Sequence, residues 1–210
     1  QMGLARFQGV KNLVPQLDGG QGLGVQMNGP FRRSDRFGEP AERDMGSPTT
    51  LASFVAGVFR RYPSKHHAVV IWDHGGGWTG IVTDEDPPGA AKKKTMLSLQ
   101  AVRDGLRTGM QAAGVLQLDL LAFDACLMAQ LDVALAMHDL AETMIASEAT
   151  VPGSGYPYTG ILPRFGDDTS GREIARTVVE QYGSFSDDEF ESGSTLCAFD
   201  LGKTPAVAAR

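Results

Sequence analysis

The sequence predicts an α/β protein with a mostly parallel sheet and helices on both faces. Short apolar segments alternate with longer stretches whose apolar residues recur at the helical period. Two of the short segments, Ala68–Trp72 and Leu118–Phe123, are apolar almost throughout, which is typical of parallel strands covered on both faces. The 210 residues are 42% hydrophobic and 21% charged, as in an ordinary globular protein. We therefore expect one domain over residues 1–210.

The first third of the chain predicts a strand, a loop and a helix. Val10–Asp18 is predicted as a short strand at a sheet edge, and the glycine-rich segment Gly19–Pro40 as a loop. The helix is predicted over Pro48–Arg61, because Ser47 suits the capping position and Pro48 the first helical position. Its apolar stripe consists of Leu51, Phe54, Val55, Val58, Phe59 and Tyr62.

Later elements are predicted from the same signals. One helix follows Ser98, a second spans Leu127 to about Leu140, and a third opens at the capping box Ser170–Glu173. Further strands are predicted at Ile81–Thr83, Thr143–Ser147 and Thr195–Leu201, with loops at Asp84–Lys94 and Val151–Tyr158.

Charge and hydropathy exclude several classes of protein. The net charge is −6, so we expect no nucleic-acid partner, since such proteins carry basic clusters. No apolar run approaches the roughly 18 residues of a membrane span, so we expect no membrane insertion. Two cysteines cannot form a disulfide framework. The chain begins at Gln1 without a signal-peptide pattern and ends at Arg210, and we expect it to be a piece trimmed at both ends.

Reactive side chains follow two of the predicted parallel strands. One strand ends at His74 and another at Cys126. The carboxyl ends of parallel strands meet at one edge of a sheet, so the two side chains are expected to face each other there. An imidazole beside a thiol is the minimum for a cysteine nucleophile. We also expect a helix starting directly after Cys126 to favour the thiolate.

Glycines after His74 fit this interpretation. The chain continues with Gly75, and glycine lets a backbone N–H approach a substrate closely. The N–H groups of Gly75 and Cys126 are candidates for an oxyanion hole. The alternatives are a structural histidine and a buried structural cysteine, and the second is our interpretation of Cys197. His66, His67 and His138 are interpreted as surface or helix-face residues.

A dinucleotide-binding motif is the rival interpretation of the glycines. Gly75–Gly80 matches GxGxxG and follows a strand. That motif also requires a helix that opens at the glycines, whereas Ile81–Thr83 reads as strand and Pro87-Pro88 prevents a helix. An oxidoreductase is therefore disfavoured.

Two segments resemble a known family. Trp72–Trp78 (WDHGGGW) and Phe123–Met128 (FDACLM) are similar to the His and Cys motifs of clostripain-type cysteine peptidases, peptidase family C11 of the caspase-like clan. The resemblance extends over most of the chain, through Asp44–Gly46, Leu51, Phe54, Tyr62-Pro63, Ala146–Glu148, Pro152-Gly153 and Tyr156–Tyr158. The family pattern includes an earlier strand, which we do not find before Val10.

The resemblance implies a caspase-like three-layer sandwich and a cysteine endopeptidase. His74 would be the general base, and Cys126 the nucleophile that forms a thioester acyl-enzyme. The expected substrates are proteins or peptides with Arg or Lys at P1, the residue before the scissile bond. Asp124 would pair with that basic side chain, and Glu148 is a second candidate for the same pocket. The alternative is a non-catalytic caspase-like module that binds basic peptides.

Processing and cofactors are further expectations from the resemblance. Self-cleavage is expected at Lys92, Lys93 or Lys94, in the loop 84–95 between the two motifs. No cofactor is expected to be required. Some relatives need Ca²⁺, for which Asp84, Glu85 and Asp86, or Asp187, Asp188 and Glu189, offer oxygen ligands without calcium-loop spacing. The resemblance favours a secreted protein or a protein of the cell envelope.

Overall fold

A computed structural model describes residues 2–8, 24–26, 43–89, 93–166, 168–189 and 194–209 of the chain, with the side chains of 2–8, 24–26 and 185–189 left undescribed. The strands are β1 (Met2–Gln8), β2 (Gly24–Gln26), β3 (His66–Trp72), β4 (Ile81–Asp84), β5 (Thr95–Leu97), β6 (Leu118–Asp124), β7 (Ala141–Ala146) and β8 (Cys197–Asp200). The helices are α1 (Pro48–Arg61), α2 (Leu99–Ala113), α3 (Leu131–Met137), α4 (Tyr158–Ile161), α5 (Gly171–Glu189) and α6 (Thr204–Ala208).

Six strands form the central sheet in the order β2-β1-β3-β6-β7-β8. The inner strands β1, β3, β6 and β7 run parallel, and β2 and β8 pair antiparallel at the two edges. A separate antiparallel hairpin, β4–β5, follows β3. The mostly parallel sheet predicted from the sequence is therefore confirmed.

Apolar side chains alternate between two cores on opposite faces of the sheet. Val69 and Ile71 of β3 belong to the larger core, together with side chains of α1, α2 and α3. Ala68 and Val70 belong to the second core, together with side chains of α4 and α5. Strands buried on both faces explain the continuous apolar runs in the sequence. Helices cover both faces, as predicted.

Helix α1 spans the predicted residues Pro48–Arg61. Its apolar stripe is buried because it packs against α2 and the sheet. The Ser47 side chain forms no capping hydrogen bond, whereas the Ser98 hydroxyl accepts from Ala101 N–H at the start of α2. The capping box is present before α5, where Ser170 N–H donates to the Glu173 carboxylate at 2.9 Å.

The predicted helix from Leu127 to about Leu140 is wrong at its start. Helix α3 begins at Leu131, after a turn in which Leu127 has φ 63°. Two N–H groups of that turn donate to carbonyl oxygens of the loop after β7 instead of forming helical bonds. Cys126 therefore does not precede a helix directly, and our helix-dipole argument for its thiolate fails.

Strand assignments also differ elsewhere in the described part of the chain. A parallel strand, β1, precedes Val10, although we found none there; its seven residues include Gly3 and Arg6, which weaken the strand pattern. The predicted strand Val10–Asp18 lies outside the described residues. Three residues of the predicted glycine-rich loop form β2. No helix in the described part of the chain is long and apolar enough to cross a membrane.

Candidate active site

His74 and Cys126 lie at the same edge of the central sheet. Strands β3 and β6 are parallel neighbours, and their last register pair is Trp72 with Asp124. His74 and Cys126 each follow two residues after that pair. The structure thus brings together the two residues selected from the sequence. His74 is exposed and Cys126 is half-buried.

The turn that carries Cys126 is held by the loop after β7. Leu127 N–H donates to Ala149 O at 3.0 Å, and Ala129 N–H donates to Ser147 O at 2.9 Å. Val151 N–H donates to the Cys126 Sγ at 3.2 Å. These bonds fix the backbone on both sides of the sulfur.

The loop that carries His74 is held from two directions. Val82 N–H of β4 donates to His74 O at 3.2 Å, so the hairpin anchors the histidine backbone. The Gln130 side chain accepts from Trp78 N–H at 3.2 Å. Gln130 also fills the space beside Gly77, where a Cβ would lie 2.3 Å from its amide nitrogen and φ is +62°. Only glycine suits position 77.

Gly75 lies against the backbone of Cys126. A Cβ at Gly75 would meet the Cys126 carbonyl oxygen at 2.2 Å and its nitrogen at 3.1 Å. Neither the Gly75 nor the Cys126 N–H donates to a protein acceptor within the described residues. The two N–H groups proposed from the sequence are therefore adjacent and without a described acceptor.

Backbone strain is concentrated at this edge of the sheet. Val82 and Leu127 are the residues other than glycine with positive φ in the described part of the chain, at 59° and 63°. Val82 is hydrogen-bonded to His74, and Leu127 follows Cys126. Such strain persists where surrounding contacts enforce it, and it is frequent at functional sites.

Asp124 is buried at the end of β6, two residues before Cys126, with 1% of its surface exposed. Its Oδ2 accepts from Tyr156 N–H at 3.0 Å and from the Tyr158 hydroxyl at 2.7 Å. A Cβ at Gly155, where φ is +67°, would lie 2.5 Å from the same oxygen. The carboxylate therefore organises the loop 152–158 and is oriented by it.

Buried tyrosines surround Asp124. Burial raises the pKa of Tyr156 well above its usual value, and the negative charge of Asp124 adds to this. The Tyr156 hydroxyl donates to Phe123 O at 2.8 Å. The pKa of Tyr182 is also raised, mainly by burial; a hydrogen bond with Ser194 opposes the rise, and the charges of Asp124 and Cys126 add to it. Both phenols stay neutral beside the site.

Glu148 is exposed at the end of β7, on the far side of Cys126 from His74. Its N–H donates to Thr195 Oγ1 at 3.0 Å. Cys197 pairs with Ala146 at the same edge, and its thiol pKa is raised by burial and then by the charge of Glu148.

Of the two acidic runs proposed for calcium, the structure describes the side chains of 84–86. The Asp84 oxygens accept from Met45 N–H and Asp86 N–H. Within the described ranges no three His, Cys, Asp or Glu side chains converge as metal ligands. The side chains of 187–189 lie outside the described residues.

The processing loop is described only in part. Lys92 lies outside the described residues, whereas Lys93 and Lys94 are exposed. Lys94 pairs with Glu85 at 3.2 Å across that loop.

Sequence reasoning missed four residues that shape the site: Gln130, Val151, Tyr158 and Thr195. Tyr158 lay in a segment that resembles the family, but Gln130, Val151 and Thr195 gave no signal, because they act through bonds to residues far away in the chain.

Comparison with known proteins assigns the family. The sequence model of the clostripain family, Peptidase_C11, matches residues 36–210. The chain belongs to the clostripain family. Clostripain of Hathewaya histolytica is 29% identical over an alignment of 137 residues. The match covers 59% of this chain and 25% of that protein. The chain thus spans about a quarter of the length of this curated relative.

Solved structures show the same fold. A secreted C11 cysteine protease of Bacteroides thetaiotaomicron, in complex with an irreversible peptide inhibitor, has TM-score 0.70 and 20% identity, over 83% of this chain and 51% of that one. An inactive zymogen C11 protease of Parabacteroides distasonis has TM-score 0.59 and 21% identity, over 83% and 46%. The predicted caspase-like three-layer sandwich is therefore confirmed.

Proposed function

We propose that this clostripain-family chain is the catalytic core of a cysteine endopeptidase that cleaves after Arg or Lys. One observation supports the proposal. His74 and Cys126 follow neighbouring parallel strands, and each lies two residues beyond the last register pair, Trp72 and Asp124. A general base and a thiol nucleophile are thereby presented at one sheet edge.

The proposed reaction proceeds by acyl transfer. His74 takes the proton of the Cys126 thiol, and the thiolate attacks the scissile carbonyl carbon. The N–H groups of Gly75 and Cys126 stabilise the oxyanion, since they lie side by side. His74 then protonates the leaving amine as the C–N bond breaks. Water, deprotonated by His74, hydrolyses the thioester and releases the acid and the free thiol.

Specificity for a basic P1 residue is assigned to Asp124. A buried carboxylate two residues before the nucleophile pairs strongly with a guanidinium or ammonium group. The Tyr158 hydroxyl and Tyr156 N–H orient it. Glu148 follows β7, the strand next to β6, and is the second candidate for the pocket that binds the basic side chain.

Self-processing is proposed at Lys92, Lys93 or Lys94. Lys93 and Lys94 are exposed, and the expected cleavage specificity is basic. Replacing all three lysines by Gln is expected to keep the purified protein a single chain on a denaturing gel. If the wild-type protein stays uncut while fully active, this part of the proposal is wrong.

The test of the proposed function is hydrolysis of fluorogenic peptides with Arg, Lys, Asp or Leu at P1, with and without Ca²⁺. Turnover after Arg or Lys is expected, with loss in Cys126→Ala and His74→Ala and retention in Cys197→Ala, the matched cysteine control. Turnover after Asp alone would refute the role of Asp124. A folded protein without any turnover would favour the binding-module alternative.

A further inference from the structure

Thr195 lies at the centre of a hydrogen-bond cluster next to the nucleophile. It precedes β8, and its Oγ1 accepts from Glu148 N–H at 3.0 Å and from Ala149 N–H at 3.1 Å. The hydroxyl of Ser147, which is fully buried, lies 3.1 Å from the same oxygen. The turn after β7 is therefore fastened to the segment before β8.

The same turn supports the nucleophile. The carbonyl oxygens of Ser147 and Ala149 accept the N–H groups of Ala129 and Leu127, on the turn that follows Cys126. Two residues beyond Ala149, Val151 N–H donates to the Cys126 Sγ at 3.2 Å, and the thiol donates to Val151 O at 3.7 Å. The sulfur is therefore positioned by both backbone groups of Val151.

We propose that Thr195 is a positioning residue for the nucleophile: its hydroxyl holds the turn 147–149 so that Val151 stays in contact with the Cys126 sulfur. The proposal rests on the proposed function, in which Cys126 is the nucleophile. Without the hydroxyl, Glu148 N–H loses its acceptor and Ala149 N–H keeps Ser147 Oγ, so the turn is held by fewer bonds and relaxes away from the sulfur. The Cys126 sulfur then loses its backbone contact with Val151 and reacts more slowly.

Several titratable groups face this sulfur, and their own side chains are unchanged by replacing Thr195. His74 follows β3, Asp124 lies two residues earlier on β6, and Tyr182 of α5 interacts with the Cys126 charge. Glu148 follows β7 and acts on Cys197. A change in Cys126 alkylation that appears only when the Thr195 hydroxyl is removed is therefore caused by the turn 147–149.

The experiment measures the pH dependence of Cys126 alkylation by iodoacetamide, with the adduct resolved from that of Cys197 by peptide mass. Thr195→Val is expected to slow the alkylation of Cys126 at neutral pH by up to about tenfold. Thr195→Ser keeps the hydroxyl and is expected to restore the wild-type profile. Thr169→Val is the matched control, since Thr169 Oγ1 accepts Gly166 N–H before α5.

An unchanged Cys126 profile in folded Thr195→Val protein would overturn the proposal, as would equal shifts at both cysteines. If Thr195→Val does not fold, Ser147→Ala removes one hydroxyl of the cluster and is expected to slow Cys126 alkylation to a smaller extent; an unchanged rate there also overturns the proposal. Alkylation needs no peptide turnover. A wild-type protein without turnover would thus refute the proposed function while the alkylation profile still decides the role of Thr195.

Discussion

Asp124, two residues before Cys126 in the chain, accepts a hydrogen bond from the Tyr158 hydroxyl at its Oδ2, at 2.7 Å. The same oxygen accepts Tyr156 N–H. Asp124 is thus part of the fold before any substrate binds. Its proposed role in recognising a basic side chain must be separated from its role in holding the loop 152–158.

Asp124→Asn separates the two roles. The amide oxygen of Asn can still accept from Tyr156 N–H, so the loop is expected to stay ordered, but the negative charge is lost. We expect kcat/KM for peptides with Arg at P1 to fall on the order of 100-fold, because a buried charge partner is removed. Steady-state kinetics with Arg and Leu at P1 measure the effect.

Two variants control this prediction. Tyr158→Phe removes only the hydroxyl and is expected to retain the preference for Arg. Asp132→Asn neutralises an exposed carboxylate in the first turn of α3 and is expected to change nothing. Unaltered Arg preference in Asp124→Asn would mean that Asp124 is purely structural.

Gln130→Ala tests the support of the histidine loop. Gln130 accepts Trp78 N–H and packs on Gly77, so its removal is expected to loosen the loop behind His74. We expect kcat/KM to fall about tenfold, since small displacements of a catalytic group are costly. The melting temperature is expected to change little, because the bond is exposed.

The matched control for Gln130 is Gln100→Ala on α2, whose side-chain amide bonds only the exposed Asp104. It is expected to leave kinetics and melting temperature unchanged. Equal activity in both variants would show that the loop is held without Gln130.

Most of the fold was predictable because its signals are local. The apolar stripe of α1 and the proline at its start predicted the bounds of that helix, and the apolar runs predicted β3 and β6. The site was predictable because parallel strands end at one edge, so two strand ends sufficed to pair His74 with Cys126.

What could not be predicted depends on contacts between distant parts of the chain. The sequence after Cys126 predicts a helix, but the N–H groups of this turn donate to the carbonyl oxygens of Ser147 and Ala149, more than 15 residues later in the chain. Val151 acts through its backbone N–H, and Thr195 through a side-chain hydroxyl whose backbone partners lie 46 and 47 residues earlier in the chain, so neither carries a local sequence signature.

Glycines on two helices are expected to respond oppositely to alanine. A Cβ at Gly109 of α2 would lie 2.7 Å from Ala52 O of α1, so Gly109→Ala is expected to destabilise the protein by about 1–3 kcal/mol through overpacking. A Cβ at Gly183 of α5 would meet nothing within 4 Å, so Gly183→Ala is expected to stabilise by up to about 1 kcal/mol. Urea unfolding measures both, and the same sign in both variants would refute the packing argument.

His67 makes stability depend on pH at the sheet edge opposite the site. Burial lowers the pKa of His67 below its usual value of 6.5; Asp119 opposes this shift and His66 adds to it. Its backbone N–H donates to Asp119 Oδ2 at 2.8 Å, and its ring packs edge-on against Phe59 with centroids 4.7 Å apart. The unfolded chain binds this proton more readily, so stability is full above pH 6.5 and falls as the pH drops through 6.5 toward the lower folded-state pKa.

His67→Phe removes the proton and keeps an aromatic ring on Phe59. The loss of melting temperature between pH 7.5 and pH 5.5 is therefore expected to be smaller in the variant than in the wild-type protein. Thermal unfolding at both pH values measures the difference. Equal losses in the two proteins would mean that His67 takes up its proton as easily in the folded chain as in the unfolded one, contrary to its burial between Phe59 and Asp119.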